Sequence, residues 1–292
     1  MDILYATDGQ PPAHAAAVLL SRLVEPDFSE VTVLNATWDA ETLEGRRYSV
    51  QVLADAKATL GGAGIRCHLL AVDDDPTAAI EKELAVSDED LVVVGAGNHS
   101  WLGRLVVGSV STHVLHHVPV PVLVVHRAPS SEDDRLRVLV GADGSRAATL
   151  AIDVLVQLAD PDRVHVDVRT VVPVPRPILA ADLGAPIGSD HPDTLMTSVR
   201  TDAPTRLEAA VERLRFAGFR CTGAICEGWP ATELLDHAER TSADLVVVGG
   251  RGLGVFERLS MGSVSAHVVR HAPATLVAHV PEVEPWEPHE PS

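Results

Sequence analysis

The stretch Asp244-Leu245-Val246-Val247-Val248-Gly249-Gly250-Arg251-Gly252 decides the architecture. An unbroken Leu/Val run without polar alternation is what a parallel strand covered on both faces requires. The glycines that follow let the chain turn sharply and bring its backbone close to a neighbour. Almost the same words occur earlier, as Asp90-Leu91-Val92-Val93-Val94-Gly95, at an offset of 154 that carries Asp90 onto Asp244. The same offset carries Gly64 onto Gly218, Arg66-Cys67 onto Arg220-Cys221, Pro76 onto Pro230 and Gly108-Ser109-Val110-Ser111 onto Gly262-Ser263-Val264-Ser265. Nearer the N-terminus the offset is 135: Asp8-Gly9 falls on Asp143-Gly144, Pro26-Asp27 on Pro161-Asp162, and Val31 and Val33 on Val166 and Val168. The chain is therefore one unit written twice. The second copy is longer by the difference between the two offsets, and the Pro/Gly-rich stretch 173–192 is where that insertion belongs. A polar linker, Pro129-Ser130-Ser131-Glu132-Asp133-Asp134, separates the copies. The expected domains are 1–128 and 135–281, followed by a Pro/Glu-rich tail, 282–292, too polar to join a core.

Each copy alternates strand and helix. In the first, apolar runs at Ile3–Thr7, Val31–Thr37, Ile65–Val72, Leu91–Gly95 and Val120–Val125 read as buried strands. Between them, Ala15–Leu23 and Val52–Leu60 have helical spacing, and Pro76 and Pro230 suit the first turn of a helix. Strand–helix alternation of this kind predicts an α/β fold of two tandem, doubly wound, five-stranded parallel-sheet domains, Rossmann-like, with right-handed crossovers. In such sheets ligands bind beyond the carboxyl ends of the strands, where the strand order reverses.

Composition narrows the classes. Of 292 residues, 46% are hydrophobic and 22% charged, enough for each half to bury a core. Lys plus Arg is 23 against 41 for Asp plus Glu, a formal net charge of −18. Such a chain is repelled by phosphate backbones and anionic lipid, so neither a nucleic-acid nor a membrane partner is expected. No apolar run approaches the ~18 residues of a membrane span. Met1-Asp2-Ile3-Leu4 has no basic region ahead of its apolar residues, so it does not read as a signal peptide. Three cysteines, Cys67, Cys221 and Cys226, make no disulfide framework. The expectation is a soluble cytoplasmic protein.

The chemistry concentrates after the fourth strand of copy two. Gly249 and Gly252 free the backbone to approach a ligand, and nine residues on, Gly262-Ser263 opens a helix running to His271. Unpaired N–H groups and the helix dipole favour an anion there. The hydroxyls of Ser263 and Ser265 are candidate further donors, and Asp143, after the first strand, is placed across the crevice for ribose hydroxyls or a metal ion on the phosphates.

The spacing G-x2-G-x9-G-S, here Gly249, Gly252, Gly262 and Ser263, resembles the ATP-binding signature of the universal stress protein family, and the resemblance covers nearly the whole chain. It implies strand order 3-2-1-4-5 in each domain, an adenine nucleotide (ATP with Mg²⁺), and a regulatory or sensing role in stress response. By the family pattern the second-domain site comprises Asp143, Val171 at the strand that meets adenine, Gly249, Gly252, Gly262, Ser263, Val264 and Ser265. The first-domain counterparts are Asp8, Ala36, Gly95, Asn98, Gly108, Ser109, Val110 and Ser111. Copy one departs from the pattern, since Asn98 replaces the second glycine and His99 and Trp101 add bulk. The family also pairs fifth strands between domains, so the two copies are expected to associate face to face as an internal pseudo-dimer, and two chains to form a homodimer.

No Walker lysine follows a glycine loop, and no Ser-His-Asp set sits on a nucleophile elbow. With no catalytic residue identified, at most slow ATP hydrolysis or autophosphorylation is expected. Arg251 and Arg258 are the cations near the second loop in sequence, Arg258 matching Arg104. His113/His117 and His267/His271 lie four apart near helix ends, which suits the helix dipole better than a metal lacking a third ligand. Asp73-Asp74-Asp75 reads as a charged helix entry. A nucleotide-independent scaffold, with purely structural glycine loops, and a slow ATPase stand as the alternative functions.

Overall fold

The computed structural model describes residues 1–37, 42–97, 107–130, 135–174, 191–250 and 261–280. The first half runs β1 (Asp2–Ala6), α1 (Pro11–Leu23), β2 (Glu30–Ala36), α2 (Leu43–Gly61), β3 (Arg66–Val72), α3 (Pro76–Val86), β4 (Leu91–Gly95), α4 (Ser109–His117) and β5 (Val122–Val125). The second repeats it as β6 (Leu136–Gly141), α5 (Arg146–Leu158), β7 (Val164–Pro173), α6 (His191–Phe216), β8 (Cys221–Gly228), α7 (Pro230–Thr241), β9 (Leu245–Gly249), α8 (Ser263–His271) and β10 (Ala274–Ala278). Each half has the order 3-2-1-4-5 and is parallel throughout. Helices α3 and α7 start at the prolines read from sequence, and Asp75 does cap α3, accepting from the amides of Thr77 and Ala78. The insertion divides differently from its sequence reading. β7 extends to Pro173, residues 175–190 lie outside the described chain, and the remainder begins α6, a helix longer than α2.

The two copies share one sheet. Its order is β3-β2-β1-β4-β5-β10-β9-β6-β7-β8, ten strands joined in the middle by antiparallel pairing of β5 with β10. The register places Leu123 opposite Leu276, Val124 opposite Thr275 and Val122 opposite Val277. The association is thus edge to edge, and the face-to-face packing expected from sequence is corrected. A Val-rich terminal strand carries unpaired N–H and C=O groups along its rim, and only a second strand in the same sheet satisfies them. One apolar layer, running from Leu20 and Leu60 to Leu155 and Leu214, lies under α1, α2, α5 and α6 and is continuous across the seam. A second, containing Ile80, Val114, Leu234 and Val268, lies under α3, α4, α7 and α8. Double cover explains the unbroken apolar runs of β4, β5, β9 and β10, whereas β3, expected from sequence to be buried, lies at the sheet edge with no buried residue between Arg66 and Val72, and β7 alternates.

Further contacts fasten the seam. Asp160 N–H donates to the carbonyl of Leu23 at 3.0 Å, where the ends of α5 and α1 meet. The amides of His126 and Arg127 both donate to the carbonyl of Pro273. The His126 ring crosses between domains, Nε2–H donating to the carbonyl of Val269 in α8 at 2.7 Å. Asp244, which opens the decisive sequence stretch, is buried and accepts from the amides of Ser130 in the linker and Arg137 in β6.

Burial, reinforced by the nearby charges of Arg127 and His271, holds the His126 pKa below its ordinary value, although the bond to Val269 opposes this. The unfolded chain therefore takes up the proton first. The contribution of His126 is complete above about pH 6.5 and is lost as pH falls through the depressed folded value. Calorimetric melts from pH 7.5 to 5 should show a falling Tm for the wild type. His126→Gln, which keeps a donor for Val269, should fall less steeply, and parallel curves for the two would contradict the assignment.

Candidate functional site

In each domain the strand order reverses between the first and fourth strands, so the crevices lie beyond β1 and β4 and beyond β6 and β9. Asp143 and Asp8 stand at these points. Asp143 Oδ1 accepts the Ser145 amide at 2.9 Å, and Asp8 Oδ1 the Gln10 amide at 3.0 Å. Each following glycine is left-handed, Gly144 at φ +80° and Gly9 at φ +73°, which is why an Asp-Gly pair makes this turn. The second Asp143 oxygen has no partner among the described residues.

The glycines after the fourth strand have divided roles. A Cβ on Gly249 would lie 2.6 Å from the Ala148 amide nitrogen, and one on Gly95 2.5 Å from that of Ala13. These two are glycine because the first turn of α5 or α1 crosses the strand end, with or without a ligand. Gly250, which sequence reading passed over, is the knot of the loop. Its amide donates to the carbonyl of Ala278, the His279 ring fills its Cβ position, and its carbonyl accepts from the Gly262 amide and from Ser265 Oγ, both at 2.8 Å. Ser265 is buried with its proton committed to backbone, and Ser111 likewise donates to the carbonyl of Gly108. These serines fasten the loop, whereas sequence reading made Ser265 a donor to the ligand. In the first domain the chains of Gly97 and Gly108 touch, with a Gly97 Cβ falling 2.5 Å from Gly108 Cα.

The remaining site residues offer backbone. Gly262 and Gly108 are N-caps of α8 and α4 without a capping side chain, and Ser263 and Ser109 behind them are exposed. A helix start leaves its first amides unpaired unless a side chain serves them. Helices α2, α3 and α5 are capped by Thr42, Asp75 and Ser145, whereas α1 and α7 begin with proline. Only α4 and α8, among helices whose N-caps are described, leave a complete set of amide donors open. Val264 and Val110 pack on the second apolar layer. Val171 pairs with Cys226, and Ala36 with Val72, near the ends of β7 and β2. Gly252 and Asn98 lie outside the described residues, as do His99, Trp101, Arg104, Arg251 and Arg258.

Cations enter from elsewhere. Arg206 of α6 lies across Gly144, and Arg146 opens α5. The 154 offset, which sets Arg206 against Val52, was the signal available in sequence. The histidine pairs are close ring contacts, stacked for His113/His117 with centroids 4.1 Å apart and tilted for His267/His271 at 4.4 Å, and Nδ1 of His117 and His271 bonds the carbonyl one turn back. Among the described residues no three His, Cys, Asp or Glu side chains gather as a metal site, and no helix is long and apolar enough to cross a membrane.

Fold and site define a tandem α/β protein with an uncapped, glycine-started helix at each topological switch point. The sequence profile of the universal stress protein family matches residues 1–126 and 135–279, so the chain belongs to that family. It is 32% identical over 295 aligned residues to universal stress protein Rv2623 of Mycobacterium tuberculosis, covering 95% of each chain. It is 29% identical to universal stress protein YxiE of Bacillus subtilis over 133 residues, 45% of this chain and 90% of that one. A universal stress protein of Archaeoglobus fulgidus has the same fold, with TM-score 0.63 and 21% identity over 96% of this chain and 98% of its own.

Replacing Gly249 by alanine should lower unfolding stability by roughly 1–3 kcal/mol, because the new methyl meets α5 backbone rather than a flexible side chain. Urea denaturation without ligand measures it, and an unchanged midpoint would show that helix packing does not demand this glycine.

Proposed function

We propose that the second domain binds an adenine nucleotide, ATP with Mg²⁺, and that the protein acts as a nucleotide-responsive regulator in stress rather than as a catalyst. The observation that carries this reading is the start of α8. Its amides at Ser263 and Val264 have no side-chain cap, and the Gly250 carbonyl fixes the helix start by accepting from the Gly262 amide and Ser265 Oγ. Preorganised amide donors at a helix N-terminus favour phosphate. The motif Gly249, Gly252, Gly262, Ser263 supplies the expectation that the phosphates are a nucleotide's, with Val171 at the base.

The residues present fit Mg²⁺. This ion is commonly held by one or two carboxylates and by substrate phosphates while keeping several waters, and Asp143 offers one carboxylate oxygen without a partner among the described residues. Bound there, the ion would neutralise phosphate charge while Asp143 and the α8 amides orient the nucleotide. The glycines and serines explained by packing, Gly249 and Ser265, support the nucleotide-independent scaffold equally well. The distinction rests on Gly252, Gly262, Ser263 and Asp143.

Denaturing the purified protein and identifying released nucleotide by mass spectrometry tests the reading. Asp143→Asn, which keeps the turn acceptor but removes the charge, should leave Tm unchanged and weaken ATP binding in Mg²⁺ about tenfold by calorimetry. Gly252→Val should abolish it. A wild type that releases nothing and binds nothing returns the protein to the scaffold reading.

A further inference from the structure

The two crevices differ most in what covers the Asp-Gly turn. In the first domain a Gly9 Cβ would lie 2.5 Å from Val52 Cγ2 and 3.1 Å from Tyr48 Oη, and Tyr48 Oη donates to the carbonyl of Asp8 at 2.7 Å. The turn is closed by an apolar and an aromatic side chain. At the matching places the second domain has Arg206 and Asp202. A Gly144 Cβ would lie 2.8 Å from both Cγ and Cδ of Arg206, so the arginine stem covers the turn as valine does and carries its guanidinium past it. The offset of 135 sets Arg146 in the second domain where the first has Pro11, and Arg146 is exposed without a partner among the described residues. The rim of one crevice thus gains two arginines over the other, in a chain whose net charge is −18.

Arg206 is under-used as a structural residue. Its side chain is only 19% exposed, yet its single acceptor among the described residues is Asp202, 3.3 Å away and itself 57% exposed. Such a pair one helical turn apart contributes little. A guanidinium has five donors in a rigid fork suited to phosphate, and withdrawing most of it from water without acceptors is unfavourable. Valine does the covering in the first domain, so cover alone does not call for arginine.

We propose that Arg206, assisted by Arg146, grips a phosphate of the nucleotide in the second domain and makes that site selective for a charged nucleotide over the free nucleoside. The inference rests on the nucleotide reading above and deepens it. α6 delivers the charge by reaching over the first-strand turn at Gly144. The ligand is then held between amides of α8 and a guanidinium of α6.

Calorimetric titrations of the full chain with ATP and with adenosine, for wild type, Arg206→Val and Arg206→Lys, test this. Arg206→Val installs the residue that the first domain tolerates in the same place, and its Tm reports folding. Loss of about ten- to hundredfold in ATP affinity with adenosine affinity unchanged is the expected result. Arg206→Lys should recover part of it, and the salt dependence of ATP binding should weaken in the valine variant. Equal losses for ATP and adenosine, or an unchanged ATP affinity, would overturn the proposal while leaving the nucleotide reading standing. A wild type that binds neither ligand would remove both.

Discussion

The antiparallel pairing of β5 with β10 is the constraint on which the rest of the molecule depends. Each domain alone ends in a short Val/Leu strand with its outer rim of peptide groups open, a surface that invites aggregation. Pairing the two rims satisfies those groups and merges both apolar layers across the seam. It also sets Gly95 and Gly249 at the ends of strands adjoining the seam pair, since β4 lies against β5 and β9 against β10. The two crevices are therefore held in one sheet. Gly250 is bonded to the last residue of β10 and covered by His279, so the base of the second loop is built directly on the strand that joins the domains.

The glycine-rich signature separates into two physical jobs. Gly249 and Gly95 make room for the helix that follows the first strand, and Ser265 and Ser111 tie the loop to the final helix. These functions would persist in a protein that had lost its ligand. The open amides of α8 and the Asp143 oxygen that has no partner among the described residues have no such structural use. Part of the signature is scaffolding for the rest, which is why matching the motif and binding the ligand are separate questions in this family.

Periodicity and repetition make the architecture legible in the sequence. Buried strands covered on both faces must be apolar throughout, so Leu91–Gly95 and Leu245–Gly249 announced themselves, and the turn at Asp8-Gly9 recurred at Asp143-Gly144 because only glycine accepts that conformation without strain. Element ends were less legible. α1 begins at Pro11 and α2 at Leu43, both ahead of the apolar spacing, because caps and prolines rather than core contacts start a helix. The pairing of fifth strands between domains followed from the family resemblance and is what the structure shows, whereas the face-to-face description was wrong, because strands that pair along their open rims lie in one sheet.

By itself, then, the amino-acid sequence determined the duplicated α/β fold, the strand order implied by family resemblance, and the positions of the glycine loops. The strands and glycine turns follow from local rules of burial and conformation, the duplication from repetition at long offsets, and the strand order from the resemblance alone. Only the tertiary structure decided which glycines serve packing, which hydroxyls are spent, and that Arg206 lies over the turn at Gly144. Those outcomes join residues tens of positions apart, and no local pattern carries the distance between side chains that the fold alone brings together.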